Sequence, residues 1–143
     1  MSEKVQKEIR RTIRLLRQIA ELADHVFSQW GMDIVALAGR DGAQGIQRFL
    51  AHAHHSDQFH AFSNLSVPEL AAVIQASSLL VSNDTGPMHL GPALGVQTLG
   101  IFSVGIAKHF RPFGPRDGVV QSMPIERIET RDVIRKIEEM REQ

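Results

Sequence analysis

Residues 79–89 read LLVSNDTGPMH, and this stretch gives the clearest indication of the fold. Its first part is a short apolar run, typical of a buried parallel strand. Its second part contains Gly86 and Pro87, which favour a turn followed by the first turn of a helix. A strand that leads directly into a helix is the repeating unit of an α/β protein with a parallel sheet.

The same alternation continues on both sides of this stretch. Further strands are predicted at residues 33–38, 58–62, 97–102 and 119–121. Helices are predicted over most of residues 1–30, from the turn at 41–45 to about residue 53, and at 66–76, 86–94 and 130–140. The sequence therefore predicts the α/β class: a Rossmann-like parallel sheet of about five strands with helices on both faces, in a single domain over residues 1–143.

Three helices carry recognisable end signals. Gly31 follows a long amphipathic run and predicts the end of the first helix. Ser66 and Glu69 have the spacing of a capping box, and Pro68 stands in the first turn, where its missing N–H is not needed. Thr130 is predicted to cap the last helix, which carries apolar residues on one side.

The composition excludes several classes of protein. The 143 residues are 43% hydrophobic and 22% charged, as in an ordinary globular protein. Sixteen Lys and Arg balance sixteen Asp and Glu, which removes the bulk electrostatic case for binding nucleic acid. The lack of cysteine excludes disulfides, zinc–thiolate sites and thiol nucleophiles. No targeting segment or membrane-spanning run is recognisable, so we expect a cytoplasmic location.

The charges are unevenly distributed, because the first helix is locally basic. Before residue 18 it carries Lys4, Lys7, Arg10, Arg11, Arg14 and Arg17 against Glu3 and Glu8. One interpretation is a solvated helix face. The other is peripheral contact with an anionic surface, such as the inner membrane, or with an anionic acceptor.

The turn after the third predicted strand contains the candidate binding residues. Ligands of open α/β sheets bind outside the carboxyl ends of strands. Thr85 and Gly86 would offer backbone N–H groups at a helix N-terminus, where the helix dipole favours phosphate. Asp84 could accept from a sugar hydroxyl, and His89 could donate to a phosphate or a sugar. The alternative is structural: Asn83 or Asp84 caps the helix, and His89 is a half-buried residue.

These residues carry a resemblance to a known family. The run SNDTGPMHL at 82–90, followed by ALGV at 93–96, resembles the signature of the glycosyltransferase family 9 heptosyltransferases, bacterial enzymes of lipopolysaccharide core assembly. The resemblance extends from Gly39 through Phe102 to the RPFG loop at 111–114. It implies a GT-B fold of two Rossmann-like domains, and this chain resembles the C-terminal, donor-binding domain.

The resemblance also implies a function and a set of site residues. The expected reaction transfers a sugar from a nucleotide diphosphate donor, ADP-heptose in particular, to a lipopolysaccharide-type acceptor, with no other cofactor and no metal. The residues expected to line the donor site are Asp84, Thr85, Gly86 and Pro87, with His89 beside them and Gly39 facing the nucleoside.

The sequence departs from the family pattern at several places. The family's donor domain opens with a strand and a lysine that contacts the donor phosphates, whereas this chain opens in a helix. Lys108, in the loop SVGIAK at 103–108, would replace that charge or would be an ordinary solvated lysine. Pro92 stands where alanine is usual and predicts a short or kinked helix.

The family's other domain is expected to be absent from this chain. That domain carries the acceptor site and the catalytic base, so the catalytic residues are not identified here, and the isolated chain is expected to be incomplete and inactive. An acceptor-binding domain or a second copy of the chain is an expected partner. The alternative function is a non-catalytic nucleotide-sugar-binding or assembly module, and a weaker one is half of a nucleotide-sugar epimerase.

Other chemistries have little support in the sequence. Four histidines and an aspartate lie close together, but they straddle a helix end and a strand, so a metal site is not predicted. They are His52, His54, His55, Asp57 and His60. No serine stands in a nucleophile elbow, and there is no P-loop motif.

Overall fold

The computed structural model describes residues 2–83, 86–102, 117–121 and 128–142. The helices are α1 (Glu3–Trp30), α2 (Ala43–His52), α3 (Val67–Gln75), α4 (Gly86–Ala93) and α5 (Thr130–Arg141). The strands are β1 (Val35–Ala38), β2 (His60–Ser63), β3 (Leu79–Asn83), β4 (Gln97–Phe102) and β5 (Gly118–Gln121). Each predicted helix and strand is therefore present, in the predicted order.

The chain divides into two compact units, Met1–Leu65 and Ser66–Gln143. In the first unit β1 pairs with β2, and in the second the strand order is β3–β4–β5. All of these pairings are parallel, which confirms the predicted α/β class. Among the described residues these strands form two sheets, one of two strands and one of three, where the sequence predicted a single sheet of about five. The single domain over residues 1–143 stays a prediction.

α1 ends where its sequence signal predicts, and its start is capped by a serine that the sequence analysis did not single out. The Ser2 hydroxyl accepts the Val5 N–H at 3.2 Å and caps the first turn. Gly31 adopts the left-handed conformation with φ 63°, and its N–H donates to the Phe27 carbonyl at 3.1 Å. Glycine reaches this conformation without the steric cost of a Cβ, so Gly31 ends the helix as predicted.

The core of the first unit forms where small residues of α1 meet aromatic rings. Ala20 and Ala23 are buried against Phe49 of α2. Phe59, just before β2, contacts Phe27 with ring centroids 5.8 Å apart and Phe49 at 6.0 Å. Leu16, Ile34, Ala36, Leu50 and Ala53 pack around this centre. The alanines allow the helices to approach closely, and the rings fill the remaining volume.

β1 is less buried than its sequence predicts. The apolar run at 33–38 is typical of a strand covered on both faces. In the structure Val35 is 39% exposed, and the other three residues of β1 are only half-buried. Because only β2 pairs with β1 among the described strands, this strand lacks the neighbour that normally completes the burial of a central strand.

The ends of α3 and α5 give one confirmed prediction and one correction. The Ser66 hydroxyl accepts the Glu69 N–H and the Glu69 carboxylate accepts the Ser66 N–H, which is the predicted capping box. For α5 the prediction of Thr130 as the cap is wrong. Glu129 is the capping residue, and its N–H donates to Asp132 at 2.9 Å. Asp132 supplies the reciprocal polar group three residues after Glu129, whereas three residues after Thr130 stands an apolar valine.

β4 forms the centre of the second unit. Thr98 and Leu99 of this strand are fully buried, and Met140 of α5 is 1% exposed. The Gln97 side-chain amide donates to the Met140 carbonyl at 3.2 Å and connects β4 to α5. An Asp117 carboxylate oxygen accepts the Thr98 N–H at 2.7 Å and connects the start of β4 to the residue that precedes β5.

Candidate functional site

The carboxyl ends of β3, β4 and β5 lie at one edge of the second unit's sheet. Asn83 pairs with Ile101, and Phe102 pairs with Gln121. β3 and β4 therefore end next to each other at this edge. This is the edge at which open α/β sheets bind their ligands.

α4 starts at this edge, at Gly86, only three positions after the last residue of β3. The first N–H groups of a helix have no partner within the helix and carry partial positive charge. Pro87, the second residue of α4, lacks an N–H at a position where none is needed. The structure thus brings the predicted Gly86 and Pro87 to a position where an anionic ligand group would be stabilised.

The remaining predicted site residues fall in different places. Asp84, Thr85 and Lys108 lie outside the described residues. His89 is the fourth residue of α4 and is exposed, so the interpretation of a half-buried histidine is not supported. Gly39 follows β1 in the first unit, is exposed, and has open space around its Cβ position.

α4 packs closely against its sheet at Gly91, a residue that sequence reasoning missed. A Cβ at this position would overlap the Thr98 hydroxyl oxygen and would lie 2.9 Å from Leu80 Cδ2. Leu80 belongs to β3 and Thr98 to β4, so the helix rests on both strands. A glycine inside a predicted helix is the only sequence signal for this contact. Gly91 thereby sets the distance between α4, including its N-terminus, and the sheet.

The C-terminal end of α4 is also closely specified. Gly95 has a φ of 76° and donates its N–H to the Pro92 carbonyl at 3.0 Å. The Val96 N–H donates to the Gly91 carbonyl at 2.9 Å, and the two bonds form a Schellman motif. Pro92 lies inside the helix, which is eight residues long, as the prediction of a short or kinked helix allows. The C-terminal end of this short helix is therefore set by its own sequence.

The first unit contains a cavity of about 350 Å³ that includes none of the predicted donor residues. Its lining residues are Arg17, Glu21, Asp24, His52 and His54. Asp24 is 9% exposed, and its two carboxylate oxygens accept the N–H groups of His54 and His55 at 2.8 and 2.9 Å. Both oxygens of this carboxylate are thus used to bind the backbone after α2. The cavity is lined by both acidic and basic side chains.

The histidine cluster is divided between several local structures. His52 ends α2, whereas His55 lies beyond it and packs its ring 5.1 Å from the Phe27 ring. His60 is the first residue of β2. Among the residues that the structure describes, no three His, Asp or Glu side chains are placed to hold a metal ion. The backbone contacts of Asp24 show that the segment after α2 is bound to α1, which sequence spacing did not indicate.

The parallel sheets and the strand-to-helix junction of β3 and α4 place the chain in the Rossmann-like class of α/β proteins. The sequence model of glycosyltransferase family 9 (heptosyltransferase) matches residues 15–139. The chain therefore belongs to glycosyltransferase family 9, which confirms the resemblance carried by residues 82–96.

Several solved glycosyltransferase structures share the fold. A family 9 glycosyl transferase from Veillonella parvula DSM 2008 matches with a TM-score of 0.78 and 20% identity, over 87% of this chain and 41% of that one. The E. coli ADP-heptose lps heptosyltransferase II matches with a TM-score of 0.79 and 16% identity, over 87% and 40%. E. coli heptosyltransferase WaaC, solved with ADP, matches with a TM-score of 0.75 and 20% identity, over 87% and 39%.

This chain thus spans about two fifths of the length of the structures that it matches. Because the identities are 16–20%, the likeness shows the fold. No curated protein matches the chain. Within the described residues, no helix is both long and apolar enough to cross a membrane.

Proposed function

We propose that this chain is the donor-binding part of a heptosyltransferase-like enzyme, which transfers a sugar from ADP-heptose to a lipopolysaccharide-type acceptor. The observation that carries the proposal is the junction of β3 and α4. It lies at the carboxyl edge of a parallel sheet, and the family match spans it. Family membership supports the reaction class, and the junction supports the position of the donor.

The proposed chemistry of the junction is electrostatic. The N–H groups of Thr85 and Gly86 donate to the donor diphosphate, and the α4 dipole favours its negative charge. As the bond between the sugar and the diphosphate breaks, charge grows on the departing oxygen, and these donors stabilise it. Asp84 accepts from a hydroxyl of the sugar, and His89, one turn further into the helix, donates to the phosphate or the sugar.

Two other residues complete the proposed donor site. Gly39 is the residue that the family resemblance assigns to the nucleoside, and nothing lies within 4 Å of its Cβ position. Lys108 contributes a positive charge to the phosphates. No metal ion and no cofactor other than the sugar donor are part of the proposal.

The choice of ADP over other diphosphates rests on the relatives. One matched structure is described as an ADP-heptose heptosyltransferase, and another was solved with ADP. The catalytic base is proposed to lie outside this chain, in an acceptor-binding domain. The isolated chain should therefore bind ADP without transferring sugar, and measurable transfer by the chain alone would contradict this part of the proposal.

The test is a calorimetric titration with ADP, UDP and GDP. We expect binding that is strongest for ADP and at least about tenfold weaker in Gly86→Val, where the new side chain would block the approach of the diphosphate, a loss of about 1.4 kcal/mol. Asp84→Ala should weaken the binding of an ADP-sugar more than that of ADP, because its proposed partner is a sugar hydroxyl.

Matched controls are available elsewhere in the chain. Gly45→Val makes the same substitution within α2, where nothing lies within 4 Å of the Cβ position. Asp33→Ala removes an exposed aspartate that precedes β1. Both controls should bind ADP as the unchanged chain does. Absence of binding of all three diphosphates at millimolar concentration, with the fold intact, would overturn the proposal.

A non-catalytic assembly module is the second candidate function. The exposure of apolar side chains in the first unit favours it, since Val35 is 39% and Phe62 is 43% exposed. Such side chains on neighbouring strands provide a surface for another polypeptide. A stable dimer in light scattering, together with no affinity for nucleotides, would favour this function over the first.

A further inference from the structure

The N-terminal part of α1 differs from the rest of the helix in both charge and burial. We call residues 3–17 the basic segment. The family match begins only at residue 15, so most of this segment precedes it. The donor site proposed above makes no use of the basic segment.

The apolar stripe of α1 continues into the basic segment without a cover. Val5, Ile9, Ala20 and Ala23 share one face of the helix, because they are separated by steps that approximate whole turns. Ala20 is 0% and Ala23 is 6% exposed, since α2 and β1 cover this face in the second half of the helix. Val5 is 46% and Ile9 is 39% exposed. The same face is therefore buried at one end of α1 and open to solvent at the other.

The charge of the basic segment indicates what would cover this face. The segment carries six Lys and Arg against two Glu, a net of +4, whereas the whole chain has a formal net charge of zero. At about 100° per residue, Lys4 lies on one side of the apolar stripe and Arg10 on the other. Arg17 also lies beside the stripe, on the same side as Arg10. The other three basic residues lie further round the helix, within about one Debye length of a surface that the stripe would touch.

We propose that the basic segment is an amphipathic helix that binds the surface of a membrane containing anionic lipids. Val5 and Ile9 enter the boundary between headgroups and acyl chains. The long side chains of Lys4 and Arg10 extend to the lipid phosphates on either side. Apolar insertion and electrostatic attraction are both needed for binding. Two aliphatic side chains alone bury little apolar surface. Each basic residue near the lipids adds only a modest amount to the free energy of binding.

The test is flotation of the full chain with vesicles of phosphatidylcholine, with and without phosphatidylglycerol. We expect binding only to the vesicles that contain phosphatidylglycerol, and we expect it to weaken as salt rises. Val5→Ser with Ile9→Ser should reduce binding about tenfold without changing charge. Lys4→Glu with Arg10→Glu should reduce it by more than about tenfold.

Matched controls separate the basic segment from the rest of the surface. Val67→Ser removes an apolar side chain that is 72% exposed in α3, and it should leave vesicle binding unchanged. Arg48→Glu with Arg135→Glu makes the same charge change at exposed positions of α2 and α5, and should reduce binding much less than the change in the basic segment. Circular dichroism confirms that each variant is folded.

Several outcomes would overturn the inference. Failure of the unchanged chain to float with either vesicle would do so, as would equal binding to uncharged vesicles. Loss of binding in the controls to the same extent would place the contact elsewhere. The chain could instead bind no vesicle and form a dimer, and the double variant Val5→Ser with Ile9→Ser could dissociate that dimer. In that case a second copy of the chain covers the stripe, and the membrane inference is wrong. Loss of ADP binding has no bearing on this test, so the two proposals fail separately.

Discussion

Gly95 is held in a backbone conformation that other residues adopt at a cost. Its φ of 76° lets its N–H and that of Val96 bond to carbonyls of the last turn of α4. We predict that Gly95→Ala lowers the free energy of unfolding by about 1–2 kcal/mol, because a Cβ crowds the left-handed conformation. Gly45→Ala, inside α2 with open space around the Cβ, should instead raise it by about 0.5–1 kcal/mol. Urea denaturation of the two variants measures both; equal effects would contradict this account of Gly95.

Gly91 is constrained by its neighbours rather than by its conformation. We predict that Gly91→Ala lowers the free energy of unfolding by about 1–3 kcal/mol, since the added methyl group would overlap the Thr98 hydroxyl and α4 would have to move. ADP affinity should fall with it, because the N-terminus of α4 moves too.

The Thr98→Ala background provides the control for Gly91. Removal of the hydroxyl relieves the overlap. Gly91→Ala should therefore lower the free energy of unfolding less in the Thr98→Ala background than in the unchanged chain. A double-mutant cycle measures this difference. An identical cost in both backgrounds would mean that Gly91 does not meet Thr98 in the way described.

These residues also show how far sequence reasoning extends at this scale. Gly31 was predicted because its signal is local: an amphipathic run ends and a glycine follows. Gly91 was not predicted, because its partner Thr98 belongs to another element, the strand that follows the turn after α4. Asp24 was not predicted for the same reason, since the N–H groups that it accepts are about thirty residues away.

At the scale of elements, Asp24 connects α1 to the segment that follows α2. We predict that Asp24→Ala lowers the free energy of unfolding by about 1–3 kcal/mol, because the partly buried N–H groups of His54 and His55 lose their acceptor. Asp33→Ala, at an exposed position, should change it by less than about 0.5 kcal/mol. Thermal denaturation compares the two, and similar melting temperatures would contradict the role of Asp24.

The capping box of α3 predicts a pH dependence. The Ser66 backbone N–H and then its hydroxyl hold the pKa of Glu69 below its usual value. A lowered pKa means that the folded state favours the charged carboxylate, so this stabilisation is present above the ordinary glutamate pKa and is lost as pH falls through the lowered value. We predict that Glu69→Gln reduces the loss of stability between neutral and acidic pH, as measured by urea denaturation at several pH values.

The matched comparison for Glu69 is an exposed glutamate outside any cap. Glu138→Gln, on α5, should leave the pH profile as it is in the unchanged chain. If the two variants showed the same dependence of stability on pH, the capping box would contribute nothing to it, which would contradict this prediction.

The positions of elements were predictable, but some of their environments were not. Periodicity and turn residues predicted each helix and strand, because those signals lie within the elements themselves. The half-burial of β1 was not predicted, since burial depends on which strands pair with it. The cap of α5 was assigned one residue too late because Thr130 is a good capping residue, whereas Glu129 is selected by its pairing with Asp132.

At the scale of the whole molecule, the family was evident from one strand-to-helix junction and the residues around it. The family match over residues 15–139 confirms that assignment, and three solved structures show the same fold. The donor and acceptor, by contrast, are not evident from this junction, and the chain spans only about two fifths of the length of the structures that it matches. The proposed function therefore requires that the junction of β3 and α4 bind the donor diphosphate.

The most direct test of that claim is an ADP titration followed by the backbone amide signals of the isotope-labelled chain in NMR. The account predicts saturable shifts at residues 83–90, and no such shifts in Gly86→Val. Shifts confined to the cavity around Arg17 and His54, or no shifts at millimolar ADP, would contradict it.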